Sequence, residues 1–174
     1  QALESGAIDV SFMPVDEERR KRVAFGPAYY ILESTYLVSA ASGIVDLAGV
    51  DRADIRIVGI DNTTTIRAAA RTLRHTVPAA VSTIAEAVEQ LRGGRADALA
   101  LSRDAFKSLL PLLPGALVVD GGFQSTGIAI AVGRDRPSAL SIVSRFMEDA
   151  NASGLVRRAL DAAGFADAPV APAT

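Results

Sequence analysis

At 174 residues the chain is long enough to bury a real core, as one domain or as two small lobes. Hydrophobic residues make up 49% and charged residues 22%, a globular mixture, and a net charge of −2 leaves no electrostatic footprint for nucleic acid. With no cysteine and a single histidine, His75, the composition excludes disulfides and thiolate metal sites and argues against a histidine metal centre or a Ser-His-Asp triad. No metal and no cofactor is expected. The lack of cysteine is compatible with an oxidising compartment without requiring one.

The opening ALESGAIDVSF reads as the last turn of a helix, a Gly turn at Gly6 and a strand from Ile8 to Phe12, and it leads to the expectation of sequence upstream of residue 1. Asp16 can cap a helical turn over Glu17 to Arg22, acids first and bases last, as the helix dipole prefers. FGPAYY (25–30) suggests aromatic packing around a turn, and Thr35 to Ser39 a strand. Ile55 to Ile60 predicts a buried-type strand, Thr64 to Leu73 a helix, and Val77 to Val81 a further strand. Thr83 and Glu86 have capping-box spacing ahead of a helix whose Ile84, Val88 and Leu91 share a face, and Gly93-Gly94 stops it. A strand at Ala98 to Leu101 and a helix from Arg103 to Leu110 follow, then strands at Leu117 to Val119 and Gly127 to Val132. Pro137 opens a helix with Leu140, Val143, Phe146 and Met147 on one side. Leu155 to Ala163 forms the last helix, ended by Gly164, before the loose tail FADAPVAPAT. Strands alternating with helices predict an α/β fold.

Four blocks carry a resemblance. SGAIDVSFMPVDEERRKRVAFGPAYY resembles the first-lobe signature of the family 3 extracellular solute-binding proteins, the amino-acid receptors of ABC importers: Gly-x-x-Asp, a strand, a bend, Glu-Arg, then Phe-Ser-x-x-Tyr. DLAGVDRADIRIVGIDNTTT is similar to its Asp-Leu-x-Gly, Val-Gly-Val and Gly-Thr-Thr stretch, GGRADALALS to its Gly-Arg-x-Asp-Ala segment, and TGIAIAVGRD to its returning strand. The resemblance implies a two-lobed periplasmic-binding-protein-like fold of type II. Lobe one would be residues 1–39 and 124–168, lobe two 43–120, and 169–174 a flexible tail. The chain would cross between lobes near Ser39–Gly43 and Asp120–Gln124, as two sheets rather than one. The family's N-terminal strand–helix–strand has no counterpart, so lobe one is expected to be incomplete.

The implied function is a solute-binding receptor, not an enzyme, located in the periplasm or outside the cell. It would bind a small carboxylate or amino-acid-like ligand in the interlobe cleft and deliver it to an ABC permease in the membrane, with no catalytic residues. Arg19 falls on the family's carboxylate-binding arginine, six positions before Phe25, where a planar guanidinium can give a carboxylate two parallel hydrogen bonds. Arg20, Lys21 and Arg22 read as a solvated charge run. Thr64 and Thr65 fall on the helix-opening pair, where free N–H groups favour an anion, although a threonine there is also an ordinary N-cap. Asp61 either faces the cleft or caps its own turn.

Three positions depart from the family pattern. Pro14 has no N–H to give a ligand. Phe12 stands where a small residue usually lines the cleft. Ser102 replaces the aspartate that grips the ligand ammonium and cannot neutralise that charge. The ligand therefore lacks an α-ammonium, or Asp61 or Asp104 stands in. A ligand-sensing module of a regulator or receptor, or a cyclic-acid dehydratase with Asp61 as its acid–base group, is the alternative. Exposed lobe-one strand edges suggest a homo-oligomer.

Overall fold

The structure, a computed structural model, describes residues 2–172. Gln1 and the last two residues of the expected tail, Ala173 and Thr174, lie outside the described residues. Chain contacts divide the molecule into two compact units, residues 1–32 with 126–174 and residues 33–125.

Unit one is built on β1 (Val10–Pro14), the short helix α1 (Glu17–Arg20), the first half of β2 (Val23–Val38), most of β7 (Gln124–Gly133), α6 (Pro137–Ala152) and α7 (Leu155–Ala162). β1 pairs antiparallel with β7, from Val10 opposite Val132 to Pro14 opposite Ile128. Side chains alternate across this ladder as strand geometry requires. Ile130 and Val132 go under α6 and α7 with Val143, Met147 and Val156, while Ala131 joins Leu3, Val23 and Met13 on the other face. Gly154, at φ +72°, makes the left-handed break between the two helices.

Unit two holds the rest of β2, then α2 (Leu47–Val50), β3 (Ile57–Ile60), α3 (Thr64–Thr72), β4 (Ala79–Val81), α4 (Ile84–Arg92), β5 (Ala98–Ser102), α5 (Arg103–Leu109) and β6 (Leu117–Val118). Strands β5, β3 and β4 are parallel neighbours, and β2 lies antiparallel to β5 and β6. Successive residues feed opposite cores. Leu37, Val58, Leu99 and Leu101 pack with Val88, Leu91, Phe106 and Leu109, whereas Tyr36, Val38, Ile57, Ala98 and Ala100 pack with Ala69, Val50 and Ile44. Burial on both faces explains why these strands read as continuous apolar runs rather than alternating ones. Gly59 admits Ile66 of α3, whose Cγ1 would lie 2.9 Å from any Cβ at that position.

Most helices and strands fall where the periodicity placed them, with ends shifted by one to three residues and α5 passing into a 3₁₀ turn at Leu110–Leu112, but β2 begins at Val23 rather than Thr35, α2 was not expected, and Ala2 and Leu3 lie in a turn rather than a helix. Three expectations need correction. FGPAYY is not a turn. It lies inside β2, because Pro27 has a φ compatible with extended chain and Tyr29, Tyr30 and Ile31 favour strand. Consequently the units divide within strands, at 32/33 and 125/126, instead of in loops near Ser39–Gly43 and Asp120–Gln124. β2 serves the ladders of both units, so the hydrogen-bonded strand order β1-β7-β2-β5-β3-β4 is one path, not two separate sheets. Finally, the described part of the tail is docked. The Ile31 N–H donates to the Pro169 carbonyl (3.0 Å), the Ala171 N–H to the Tyr29 carbonyl (3.1 Å), and Ala171 is buried. A chain with prolines at 169 and 172 is tolerated at an edge because few ladder donors are needed there.

Asp97, in the Gly-Arg-x-Asp segment, locks the start of β5 to β3. Its carboxylate accepts from Arg56 Nε (2.9 Å), Nη2 (2.8 Å) and backbone N–H (2.9 Å), and Arg56 Nη1 reaches the Gly94 carbonyl (2.7 Å). The hydrogen-bonded Arg56 guanidinium holds the carboxyl below its usual range. Asp97→Ala is expected to cost about 1–3 kcal/mol in urea unfolding at neutral pH. Since the folded-state value is depressed, the contribution is fully present above the unfolded value of about 3.9 and is lost as pH falls through the folded one. The gap between the two proteins should therefore close in acid.

Candidate ligand-binding site

β3 and β5 are parallel neighbours, yet the helices that follow them cover opposite faces: Ala69 of α3 packs with Ile57, and Phe106 of α5 with Val58. The carboxyl edge of two such strands is where open α/β sheets take ligands. At this edge of unit two lie Asp61, the three threonines 63–65, Ser102 and Asp104.

Thr63 does the capping. Its Oγ1 accepts from the Ile66 N–H (3.2 Å) and donates to the Ile60 carbonyl (2.8 Å), which releases Thr64 and Thr65 from that task. Thr64 and Thr65 are both buried, and Thr65 Oγ1 lies 3.2 Å from Ser34 Oγ. Ser34, fully buried on β2, stands opposite Ser102 in the β2–β5 register. It is a member of the site that the sequence reading missed; the polar pair Ser34-Thr35 within an otherwise apolar strand was the available signal. Thr35 Oγ1 donates to the Gly121 carbonyl (2.7 Å), and Arg103 Nη2 donates to the same oxygen (2.7 Å) while its Nε is ion-paired with Glu33. Gly122 is packed so closely that a Cβ would come 2.6 Å from Glu33 Cγ.

Of the two readings of Asp61, its hydrogen bonds are those of a turn cap. The exposed carboxylate accepts from the Asn62 N–H (2.8 Å) and Nδ2 (3.0 Å), and Asn62 adopts a left-handed φ of +59°. Ser102 occupies the N-cap position of α5 without a side-chain capping bond. Two residues on, burial pushes the Asp104 carboxyl up, with Lys107 opposing.

In unit one, Asp16 caps α1 by accepting from the Arg19 N–H (2.7 Å), and Arg19 Nη1 donates to the Pro14 carbonyl (2.9 Å). The half-buried Arg19 lines a cavity of about 340 Å³ with Ser11, Met13, Leu3 and Arg22, the last paired with Glu4. Arg20 instead lies over the Phe25 ring, 5.8 Å from its centroid. The structure thus joins Arg19 and Pro14 but separates Phe12 from them. Phe12 points to the opposite face of β1, 61% exposed and edge-on to Tyr29 at 5.9 Å, because strand residues 11 and 13 alternate with it. His75 sits far along the chain from these groups, its backbone N–H and Nδ1 at the Asp51 carboxylate. Among the described residues no group of three His, Cys, Asp or Glu is placed to hold a metal, and no helix is long and apolar enough to cross a membrane.

The buried Ser34–Thr65 pair yields a test. Thr65→Val would strand the Ser34 hydroxyl and should cost about 1–3 kcal/mol, whereas adding Ser34→Ala should recover part of the loss. A double-mutant cycle by chemical denaturation measures the coupling. Strict additivity would mean that the two hydroxyls do not support each other.

No protein-family model matches the chain, and no curated protein sequence does. Solved structures do. The substrate-binding protein of an amino acid ABC transporter aligns over 92% of this chain and 72% of its own, at 22% identity and a TM-score of 0.75. An ancestral amino-acid-binding protein, described as a precursor of cyclohexadienyl dehydratase, aligns over 92% of this chain and 70% of its own, at 25% identity and a TM-score of 0.76. An amino acid ABC transporter substrate-binding protein from Streptococcus pneumoniae, bound to L-arginine, aligns over 98% of this chain and 72% of its own, at 18% identity and a TM-score of 0.76. The chain has the two-lobed α/β fold of the substrate-binding proteins of amino acid ABC transporters.

Proposed function

We propose that the protein is a solute-binding receptor of an ABC-type importer, working in the periplasm or outside the cell, for a small ligand that carries a carboxylate. The observation that carries this reading is the division of labour at the start of α3. Thr63 caps the helix, so the N–H groups of Thr64 and Thr65 are not taken by capping and remain for an anionic group at the carboxyl edge of β3 and β5, while the Thr65 hydroxyl is turned to Ser34. Arg19, in unit one, is the residue that the family resemblance assigns to a carboxylate. Its Nη1 anchors it to the Pro14 carbonyl, and that anchor orients the guanidinium plane. Binding, rather than catalysis, is what helix N–H groups at such an edge perform.

Ser102 stands in for an acid and Asp61 is engaged by Asn62, which favours an organic acid or a modified amino acid over a standard one. An ammonium-bearing ligand would turn to Asp104, the acid nearest to Ser102 in sequence at that edge. The Asp104 carboxyl, which burial pushes up, also favours a second reading, acid–base dehydration of a cyclic acid, since burial shifts a carboxyl in the direction a general acid needs. Incubation with arogenate- or prephenate-like acids separates the two: turnover abolished by Asp104→Asn would replace the receptor reading.

Calorimetry against a panel of carboxylates and amino acids tests the receptor directly. Once a ligand is identified, Arg19→Lys should weaken binding by about 1.5–3 kcal/mol through loss of the bidentate geometry. Arg20→Lys, in the same charge run, should change little. Equal losses in the two variants would return Arg19 to the charged surface and remove it from the site.

A further inference from the structure

Three hydroxyls gather on one face of the unit-two sheet. Ser34 alternates with Thr35 onto the side of β2 that carries Tyr36 and Val38, and Ser102 onto the side of β5 that carries Ala98 and Ala100; this is the side that packs with Ala69 of α3. Ser34 and Ser102 stand opposite each other in the register, so their side chains are neighbours on that face. Thr65, in the first turn of α3, comes down onto the same face, its Oγ1 3.2 Å from Ser34 Oγ. Ser34 is entirely buried and Thr65 nearly so, and each hydroxyl relies on the other for a hydrogen bond.

The three neighbouring threonines thus have three different tasks. Thr63 Oγ1 takes the Ile66 N–H. The Thr65 hydroxyl is turned inwards, to the sheet. Thr64 is only 4% exposed, and among the described residues its hydroxyl makes no hydrogen bond. The Cα–Cβ bond of a helical residue leans towards the N-terminus, so this hydroxyl lies at the end where the N–H groups of Thr64 and Thr65 have no carbonyl of their own helix to reach. A buried hydroxyl without a partner beside two such N–H groups makes a donor set for one oxyanion.

We propose that Ser34 is the positioning residue of this donor set, a role that rests on the receptor reading above and deepens it. Ser34 tethers Thr65 and so fixes the angle at which the two N–H groups and the Thr64 hydroxyl meet a carboxylate. The first turn of a helix lacks the bonds to a preceding turn that hold the rest, and its N–H directions are correspondingly soft. A hydrogen bond from the second residue of α3 to a strand that is itself paired with β5 pins that turn against the sheet. Thr64 then touches the ligand with its side chain, whereas Thr65 contributes only its N–H. The resemblance alone treats the two threonines alike.

Acetate, the simplest carboxylate, is the probe. The amide signals of Thr64 and Thr65 in the full 174-residue chain report on it in a heteronuclear NMR titration, run against chloride at equal ionic strength. Both signals should shift and saturate. Ser34→Ala and Thr65→Val should each raise the acetate dissociation constant roughly threefold or more, and the double variant no further than either one, because the two hydroxyls act as a single tether. Thr64→Val should weaken acetate in the Ser34→Ala background as well, since it removes a contact and not the tether. Where Ser34→Ala does not fold, Thr65→Ser carries the test: it keeps the hydroxyl and should bind acetate roughly threefold or more tightly than Thr65→Val. Saturating shifts with a dissociation constant that Ser34→Ala and Thr65→Val leave unchanged, or equal affinities of Thr65→Ser and Thr65→Val, overturn the positioning role alone. No shift at either amide overturns the receptor reading and this role with it.

Discussion

Strand β2 is the constraint on which the rest is hung. Sixteen residues run extended from one unit into the other, and the polar pair Ser34-Thr35 is completely buried just past the point where the units divide. A buried hydroxyl without a partner is expensive, so each of these two fixes something else in place. Ser34 holds Thr65 and with it the first turn of α3; Thr35 holds the Gly121 carbonyl, where Arg103 adds a second donor. One strand thereby sets the first turn of α3 and the path of the chain through Gly121. Gly122 shows how tight that return is, since the space beside it is already filled by Glu33.

The chemistry of the site follows from partial charges more than formal ones. The carboxyl edge of unit two is made of hydroxyls and helix N–H groups with two acids, Asp61, which accepts from Asn62, and Asp104, whose carboxyl burial pushes up. Under the proposed function such a surface suits an anion and is a poor host for an isolated ammonium. Ser102 is the decisive position in this respect. A hydroxyl there can accept a hydrogen bond from a ligand but contributes no charge, so the proposed receptor would prefer an anion to a zwitterion.

Much of this could be read from the chain before its structure. The helices were legible because their faces repeat at helical spacing and their ends are marked: Asp16 and Thr83 cap as their positions suggest, and Gly164 closes α7 at a positive φ. The strands of unit two were legible as apolar runs because both their faces are covered. What failed has a common cause. Gly26 and Pro27 are turn residues by composition, but the β-forming run after them and the partner strand beside them outweigh local preference, so β2 continues and the boundary between units moves into it. The tail was misread for the same reason, prolines and alanines signalling looseness where neighbouring backbone supplied partners. At the start of α3 a threonine cap was legible but not which threonine caps, and Ser34 escaped because a strand residue's partner lies 31 positions away, beyond any local pattern.

Pro14 has a further effect, on how long a ladder β1 can offer on the side away from β7. The Val15 N–H donates to the Gly127 carbonyl, so by strand alternation the backbone groups of Val10, Phe12 and Pro14 face that other side. There the row stops after two residues, for the ring of Pro14 removes the next donor and Arg19 has taken the next acceptor. Any backbone lying along that side of β1 must part from it at Pro14. The ring that leaves this residue without an N–H thus also sets where pairing ends.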